Sequence, residues 1–183
     1  MPGAGDRERA SELDWEDLDR LWEGIKSEFT PEESKGEALE RLVLCAFDLG
    51  GAVVRWPYKV GLWGKSTVAE EIDGAVHCLG LHCLIECKNW RKNVDFEPVA
   101  KLRSQLLRRP AGTVGIVFSA GGFTTAAIEL ARFAAHEGIM LWNGDEIEYA
   151  LRKRDFVDAL MVKYRGCVEC AYPSYSLIAE ETP

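Results

Sequence analysis

The sequence predicts an α/β fold: a mixed sheet with a hairpin at its start, a parallel half at its end and helices on its faces. Three observations carry this reading. Residues 71–78 and 82–88 are rich in β-compatible side chains and are joined by the short Leu79-Gly80-Leu81 link, which suits an antiparallel hairpin. Beyond residue 95 helical and buried-strand patterns alternate, and a strand–helix–strand unit implies parallel pairing. The 183 residues, 47% hydrophobic and 28% charged, suffice for one domain with its own core and exclude a wholly disordered or collagen-like chain.

The elements follow in order. Leu18, Leu21, Trp22, Ile25 and Phe29 recur on one face of an amphipathic helix over residues 11–29, and the opposite face is strongly acidic. Thr30-Pro31-Glu32-Glu33 then supplies a capping threonine, a proline at the first helical position and a glutamate at the third, predicting a second helix that Gly50-Gly51 ends. Residues 52–56 read as a short strand and 57–66, with two glycines and two lysines, as a loop. After the hairpin, 96–108 is helical, 113–118 a buried strand, 124–137 a helix capped by Thr124, and 139–142 a second buried strand. Asn143-Gly144 turns the chain into a short helix near 145–153, and another apolar helix covers about 155–164.

Composition bounds the function. The longest apolar run, Leu42 to Phe47, is six residues, against about 20 for a membrane-spanning helix, so no membrane role is expected. The first 30 residues are acidic and carry no apolar block behind a basic start, and with no export signal the six cysteines read as free thiols of a cytoplasmic protein. Residues 1–40 hold 13 Asp/Glu against 5 Lys/Arg and so carry the whole net charge of −8; the remaining 143 residues balance at 17 of each sign. The acidic total therefore does not exclude a nucleic-acid partner, because the balanced part can sort its charges into patches.

The hairpin holds the chemistry. Side chains alternate along a strand, so Glu86 and Lys88 share one face while Ile85 and Cys87 take the other. If Asp73 reaches that face from the neighbouring strand, two carboxylates and an ammonium converge where a hard cation held by oxygen ligands could sit. Such a group suits phosphodiester cleavage, the metal neutralising phosphate charge and activating water while Lys88 orients that water or stabilises developing charge.

Asp73, twelve intervening residues and Glu86-Cys87-Lys88 resemble the Asp…Glu-x-Lys form of the PD-(D/E)xK nuclease signature. Gly36-Glu37-Ala38-Leu39-Glu40 is similar to the G-x-x-[FL]-E helix that precedes the hairpin in Mrr-like restriction endonuclease domains. Gly122-Phe123-Thr124-Thr125-Ala126-Ala127 resembles that family's F-T-x-x-A helix start, and Ile139 to Gly144 its closing strand and turn. The resemblance runs from about Lys35 to Lys153. It implies a restriction-endonuclease-like three-layer core that cleaves DNA, with Asp73 and Glu86 as Mg²⁺ ligands, Mn²⁺ as a possible substitute, and Lys88 as the catalytic lysine. Glu40 would join from its helix, as a further metal-site acid or through a bridging water. The family often has Gln where this chain has Glu86, and its second acid falls at Glu70, beside Glu71. A role in restriction or defence against foreign DNA is implied by the resemblance alone. The alternative is a nuclease-fold subunit that binds nucleic acid or a partner protein without cutting.

The helix after the hairpin adds a basic row. Lys101, Gln105 and Arg108 lie opposite the stripe of Val99, Leu102 and Leu106, and with Arg91 and Lys92 upstream they form a candidate strip for tracking phosphates, against the plainer reading of a solvated helix face. Trp90 is a candidate for base stacking or for packing. Cysteine and histidine offer a rival zinc reading, but strand parity puts Cys83 and Cys87 on the side opposite Glu86, which is the core if the acids face solvent. His77 and His82 are placed near Asp73 and Glu86, and Cys167/Cys170 has no partner pair at usable spacing. Ser119-Ala120-Gly121-Gly122 lacks the Lys-Ser/Thr of a phosphate loop and reads as a tight turn.

The expected organisation is an acidic helical extension at 1–34, a nuclease-like core at 35–153, and a C-terminal helix and tail at 154–183. Neither flank is long enough for a separate sequence-reading domain. Target choice would then come from DNA structure, a homodimer or a larger defence complex, with the acidic helix either making that contact or docking on its own core through Leu21 and Trp22.

Overall fold

The alternation of side chains through the hairpin builds a sheet whose middle strand is covered on both faces. The computed structural model describes residues 13–27, 35–56, 58–61, 68–89 and 92–178. The elements run α1 (Trp15–Ser27), α2 (Lys35–Leu49), β1 (Val53–Arg55), β2 (Tyr58–Gly61), β3 (Val68–Ile72), β4 (Gly74–Cys78), β5 (Leu81–Lys88), α3 (Phe96–Leu106), β6 (Thr113–Ser119), α4 (Thr125–Phe133), β7 (Ile139–Trp142), α5 (Gly144–Lys153) and α6 (Phe156–Cys170). The main sheet has the order β1-β4-β5-β6-β7, antiparallel from β1 to β5 and parallel from β5 to β7. Its antiparallel and parallel halves meet at β5. A two-stranded antiparallel ribbon, β2 with β3, stands apart from it.

Strand parity divides the core in two. Cys83, Ile85 and Cys87 face a layer made by α1, α2, α5 and α6, where Leu18, Trp22, Leu39, Phe47, Ile147 and Phe156 are buried. Leu84, Val117 and Leu141 face the opposite layer, filled by Val99 and Leu102 of α3 and Ala127 and Ala131 of α4. The result is three layers, helices over both faces of a mixed sheet. Among the described residues no helix is long and apolar enough to cross a membrane.

The apolar stripe of α1 is spent on this core. Leu18, Trp22 and Ile25 are buried, and Trp22 Nε1 and Lys26 Nζ donate to Glu148 of α5 at 3.3 and 3.1 Å. Phe29 and the Thr30-Pro31-Glu32-Glu33 helix start lie outside the described residues, as do Trp90 and Arg91.

Several expectations change. The stretch read as a loop contains β2: Tyr58 and Val60 pack against the α3/α4 layer while Lys59 points out and pairs with Glu71 at 2.9 Å, a period of two obscured by the lysines and glycines around it. The first hairpin arm is two strands, because the chain bends at Asp73 and leaves the ribbon for the main sheet. The hairpin link itself is two residues, Leu79 (φ 47°) and Gly80 (φ 85°), which is type I′ geometry. The helix expected over 96–108 ends at Leu106, that over 124–137 ends at Phe133 with a 3₁₀ turn following at Ala135–Glu137, and α6 runs on to Cys170. Thr124 caps α4 as expected, its side chain accepting from the Ala127 N–H.

One buried ion pair ties the C-terminal elements together. Glu146 closes a capping box with Asn143 at the start of α5. Its carboxylate also takes the Lys163 ammonium of α6 at 2.5 Å and the Leu177 N–H at 3.1 Å. Both side chains of the pair are essentially without solvent contact. Removing one partner strands the other charge, so Lys163→Met is expected to cost about 3–5 kcal/mol in urea unfolding. Glu146→Gln/Lys163→Met should recover part of that loss.

Candidate active site

The site is assembled where the ribbon, the hairpin and the parallel strands meet. Gly74 follows the bend, and a Cβ there would stand 2.7 Å from the Leu44 side chain, so its absence lets α2 lie close against β4. That approach brings Glu40 of α2 toward the same end of the sheet. Beyond β5 and β6 the two loops are laced together: Val94 N donates to Gly122 O at 2.8 Å and Thr124 N to Val94 O at 2.9 Å. Asp95 reinforces this by accepting from the Thr124 hydroxyl at 3.1 Å. The carboxyl ends of parallel strands are where open α/β sheets bind ligands.

Asp73 Oδ2 accepts the backbone N–H of Cys87 at 2.7 Å, so the carboxylate is fixed across the strand pair by its own bend. Lys88 Nζ lies 2.6 Å from Glu86 Oε1 and 4.0 Å from Asp73 Oδ2, and it donates to the Cys87 carbonyl at 3.0 Å. The expected grouping of Asp73, Glu86 and Lys88 on one side is thus present. The expectation that this side faces solvent is not: Glu86 is 0% exposed, because β5 is the third of five strands and α3 lies over the Glu86 face.

The charges are strongly coupled to burial. Burial raises the Asp73 carboxyl, and the Glu86 charge raises it further, against the Cys87 N–H and the lysines. Burial alone would lower the Lys88 ammonium, but the charge and hydrogen bond of Glu86, with Asp73, outweigh it and hold Lys88 above the usual lysine value. Burial and then the Asp73 charge push Glu40 up to about 7, opposed by a hydrogen bond from Trp56 and by Lys88. Trp56 is a neighbour that the sequence gave no reason to single out.

Lys101 is the larger surprise. Expected on an outward phosphate strip, it donates to both oxygens of Glu86, at 3.0 and 2.6 Å. The strip does not form as a row. Gln105 is only 3% exposed and donates to the Glu71 carbonyl of β3 at 3.3 Å, so the ribbon covers a position next to the Val99, Leu102 and Leu106 stripe. Arg108 pairs with Glu70, which also takes Arg109 at 2.6 Å. Lys92 is exposed. Glu70 therefore belongs to an arginine pair, and Glu71 to Lys59.

Among the described residues no three acidic, histidine or cysteine side chains stand close enough to enclose an ion. The donor chemistry nonetheless fits a hard divalent cation: Asp73 and Glu86 offer carboxylate oxygens, their like charges oppose each other at a buried position, and lysines already answer that excess. His77 and His82 share the strand face of Glu86 but lie toward the hairpin turn and engage each other, Nδ1 to Nδ1 at 2.8 Å. Cys45, Cys83 and Cys87 are buried, and burial pushes the first two thiols up to about 11 and about 12.

A mixed sheet between helical layers, with its hairpin carrying an Asp…Glu-x-Lys array, has the restriction-endonuclease-like α/β fold. Residues 32–151 match the family model Mrr_cat, described as a restriction endonuclease, and the chain belongs to this family. Two solved structures are similar to it. The MspJI restriction endonuclease in complex with a 27-mer oligonucleotide matches at 18% identity over 87% of this chain and 36% of that one, TM-score 0.41. The DNA modification-dependent restriction endonuclease AspBHI matches at 15% identity over 90% of this chain and 42% of that one, also at TM-score 0.41. This chain thus spans less than half the length of either. No curated protein matches it.

The raised Glu40 has a consequence for stability. An unfolded glutamate titrates near 4.5 and this one near 7, so the folded chain holds the proton more tightly and loses stability as pH rises between those values. With chelator present, Glu40→Gln should match the natural chain near pH 4.5 in denaturant unfolding. Above pH 7 it should be more stable by about 1 kcal/mol, allowing for solvent screening of a half-buried group.

Proposed function

We propose that residues 35–153 form the core of a divalent-metal-dependent endonuclease that hydrolyses DNA phosphodiester bonds in restriction or defence against foreign DNA. The observation that carries this is the Lys88 ammonium held 2.6 Å from Glu86 and 4.0 Å from Asp73, in a chain of a restriction endonuclease family. Asp73 and Glu86 would hold Mg²⁺, with Mn²⁺ as a substitute, and Glu40 would join directly or through a water. Bound there, the metal would neutralise charge on the scissile phosphate and lower the pKa of a coordinated water.

The chain's own residues do the rest. Asp73 is oriented before any ligand arrives, since its Oδ2 is committed to the Cys87 N–H. Lys88 stays protonated at neutral pH because the two acids outweigh its burial. Its N–H groups can direct the attacking oxygen and stabilise the negative charge that develops at phosphorus. The partner is DNA, contacted by Lys92, Lys101 and Arg108, with Arg91 beside Lys92 in the chain, while Gln105 is buried against the Glu71 carbonyl and takes no part. A cytoplasmic location and assembly as a homodimer or within a larger defence complex complete the proposal.

The test is conversion of supercoiled plasmid to nicked or linear DNA in Mg²⁺. The natural chain should cut, and chelator should stop it. Asp73→Asn keeps an acceptor for the Cys87 N–H, and Lys88→Ala removes the ammonium; each should lower the rate by about 100-fold or more in a chain that still unfolds cooperatively, with Lys88→Ala also lowering the unfolding midpoint because the buried Glu86 loses one of its two ammonium partners. A chain that binds DNA but cuts nothing in Mg²⁺ or Mn²⁺ would instead support the binding-only role.

A further inference from the structure

Lys101 joins the surface of the molecule to its most deeply buried carboxylate. Its side chain is 45% exposed while that of Glu86 is 0% exposed. Val99 and Leu102, both fully buried, clamp α3 on the sheet to either side of it. From that position its ammonium bonds to both carboxylate oxygens, at 3.0 and 2.6 Å, while Lys88 lies 2.6 Å from Oε1. Three of the roughly four lone-pair directions of a carboxylate are thereby taken by lysines. The two lysines differ in one respect. Lys88 is anchored on the strand and half enclosed, with a second bond to the Cys87 carbonyl, whereas Lys101 reaches in from the rim on a flexible four-carbon stem.

Resting on the metal-site reading above, we propose that Lys101 is a positioning residue that competes with the divalent cation for Glu86 and so couples metal binding to DNA binding. A cation that takes Glu86 as a ligand must share its oxygens with an ammonium of like charge, or displace it. Lys101 can yield because its exposed stem swings outward, and Lys88 cannot. Turned to the rim, the freed ammonium adds a positive charge to the face that a phosphate backbone would approach. Metal and DNA then each strengthen the other's binding, as linkage requires.

The experiment titrates Mn²⁺ alone into the natural chain, Lys101→Gln, Lys101→Arg and Asp73→Asn by calorimetry, with an unfolding curve for each. Lys101→Gln should bind Mn²⁺ about five- to tenfold tighter, and Lys101→Arg should stay near the natural value. In a second measurement, the gain in affinity for a DNA duplex on adding Ca²⁺ should be several-fold smaller in Lys101→Gln than in the natural chain. If Asp73→Asn loses Mn²⁺ but Lys101→Gln binds it equally or more weakly than the natural chain, the competition is wrong and the metal site stands. Mn²⁺ binding that ignores Asp73→Asn, or is absent from the natural chain, overturns the metal-site reading and this inference with it.

Discussion

The architecture turns on one buried carboxylate. Glu86 sits on the middle strand of a sheet covered on both faces, with no solvent contact. Burying a lone carboxylate costs several kcal/mol even after relaxation, so its neighbours must compensate. Two ammonium groups do so, one from β5 itself and one from α3. This fixes more than a charge. It ties α3 to the strand beneath it and holds Lys88 within reach of Asp73, the residue at which the chain leaves the small ribbon for the main sheet.

The same economy of charge runs through the rest of the molecule. Beyond residue 40 acids and bases are equal in number, and the structure spends many of them in local pairs. Glu70 takes Arg108 and Arg109, Glu137 takes Arg103, and Glu146 takes Lys163. A sequence that offered material for a basic strip yields paired bases around the site instead. Under the proposed function, the positive charge facing an incoming polyanion would be set by which pairs open, and Lys101, half exposed, is placed to do so.

Function enters through position as much as residue type. The laced loops after β5 and β6, the close approach of α2 at Gly74 and the bend at Asp73 bring acid, acid and lysine to one end of the sheet. Each is a backbone arrangement, and each places a side chain before any ligand binds. That is preorganisation of the kind the proposed hydrolysis would need, with charges aimed where charge would develop. α1 contributes stability to this frame, since its apolar stripe is buried in the same core as α2 and α5.

The sequence by itself determined the fold class, the parity of β5 and the grouping of Asp73, Glu86 and Lys88, because these depend on periodicity, turn chemistry and motif spacing within short stretches of chain. It also marked Thr124 as a helix cap and a turn at Asn143-Gly144, features that act within one turn of chain. The sequence did not reveal β2, since Tyr58 and Val60 become a strand only against the layer they bury. Nor did it reveal that Glu86 is buried, that Gln105 turns inward or that Lys101 reaches Glu86. Those facts depend on which helix covers which face of the central strand, a choice made by packing between residues far apart in the chain. Local pattern names the charged groups; only the tertiary structure decides which of them meet.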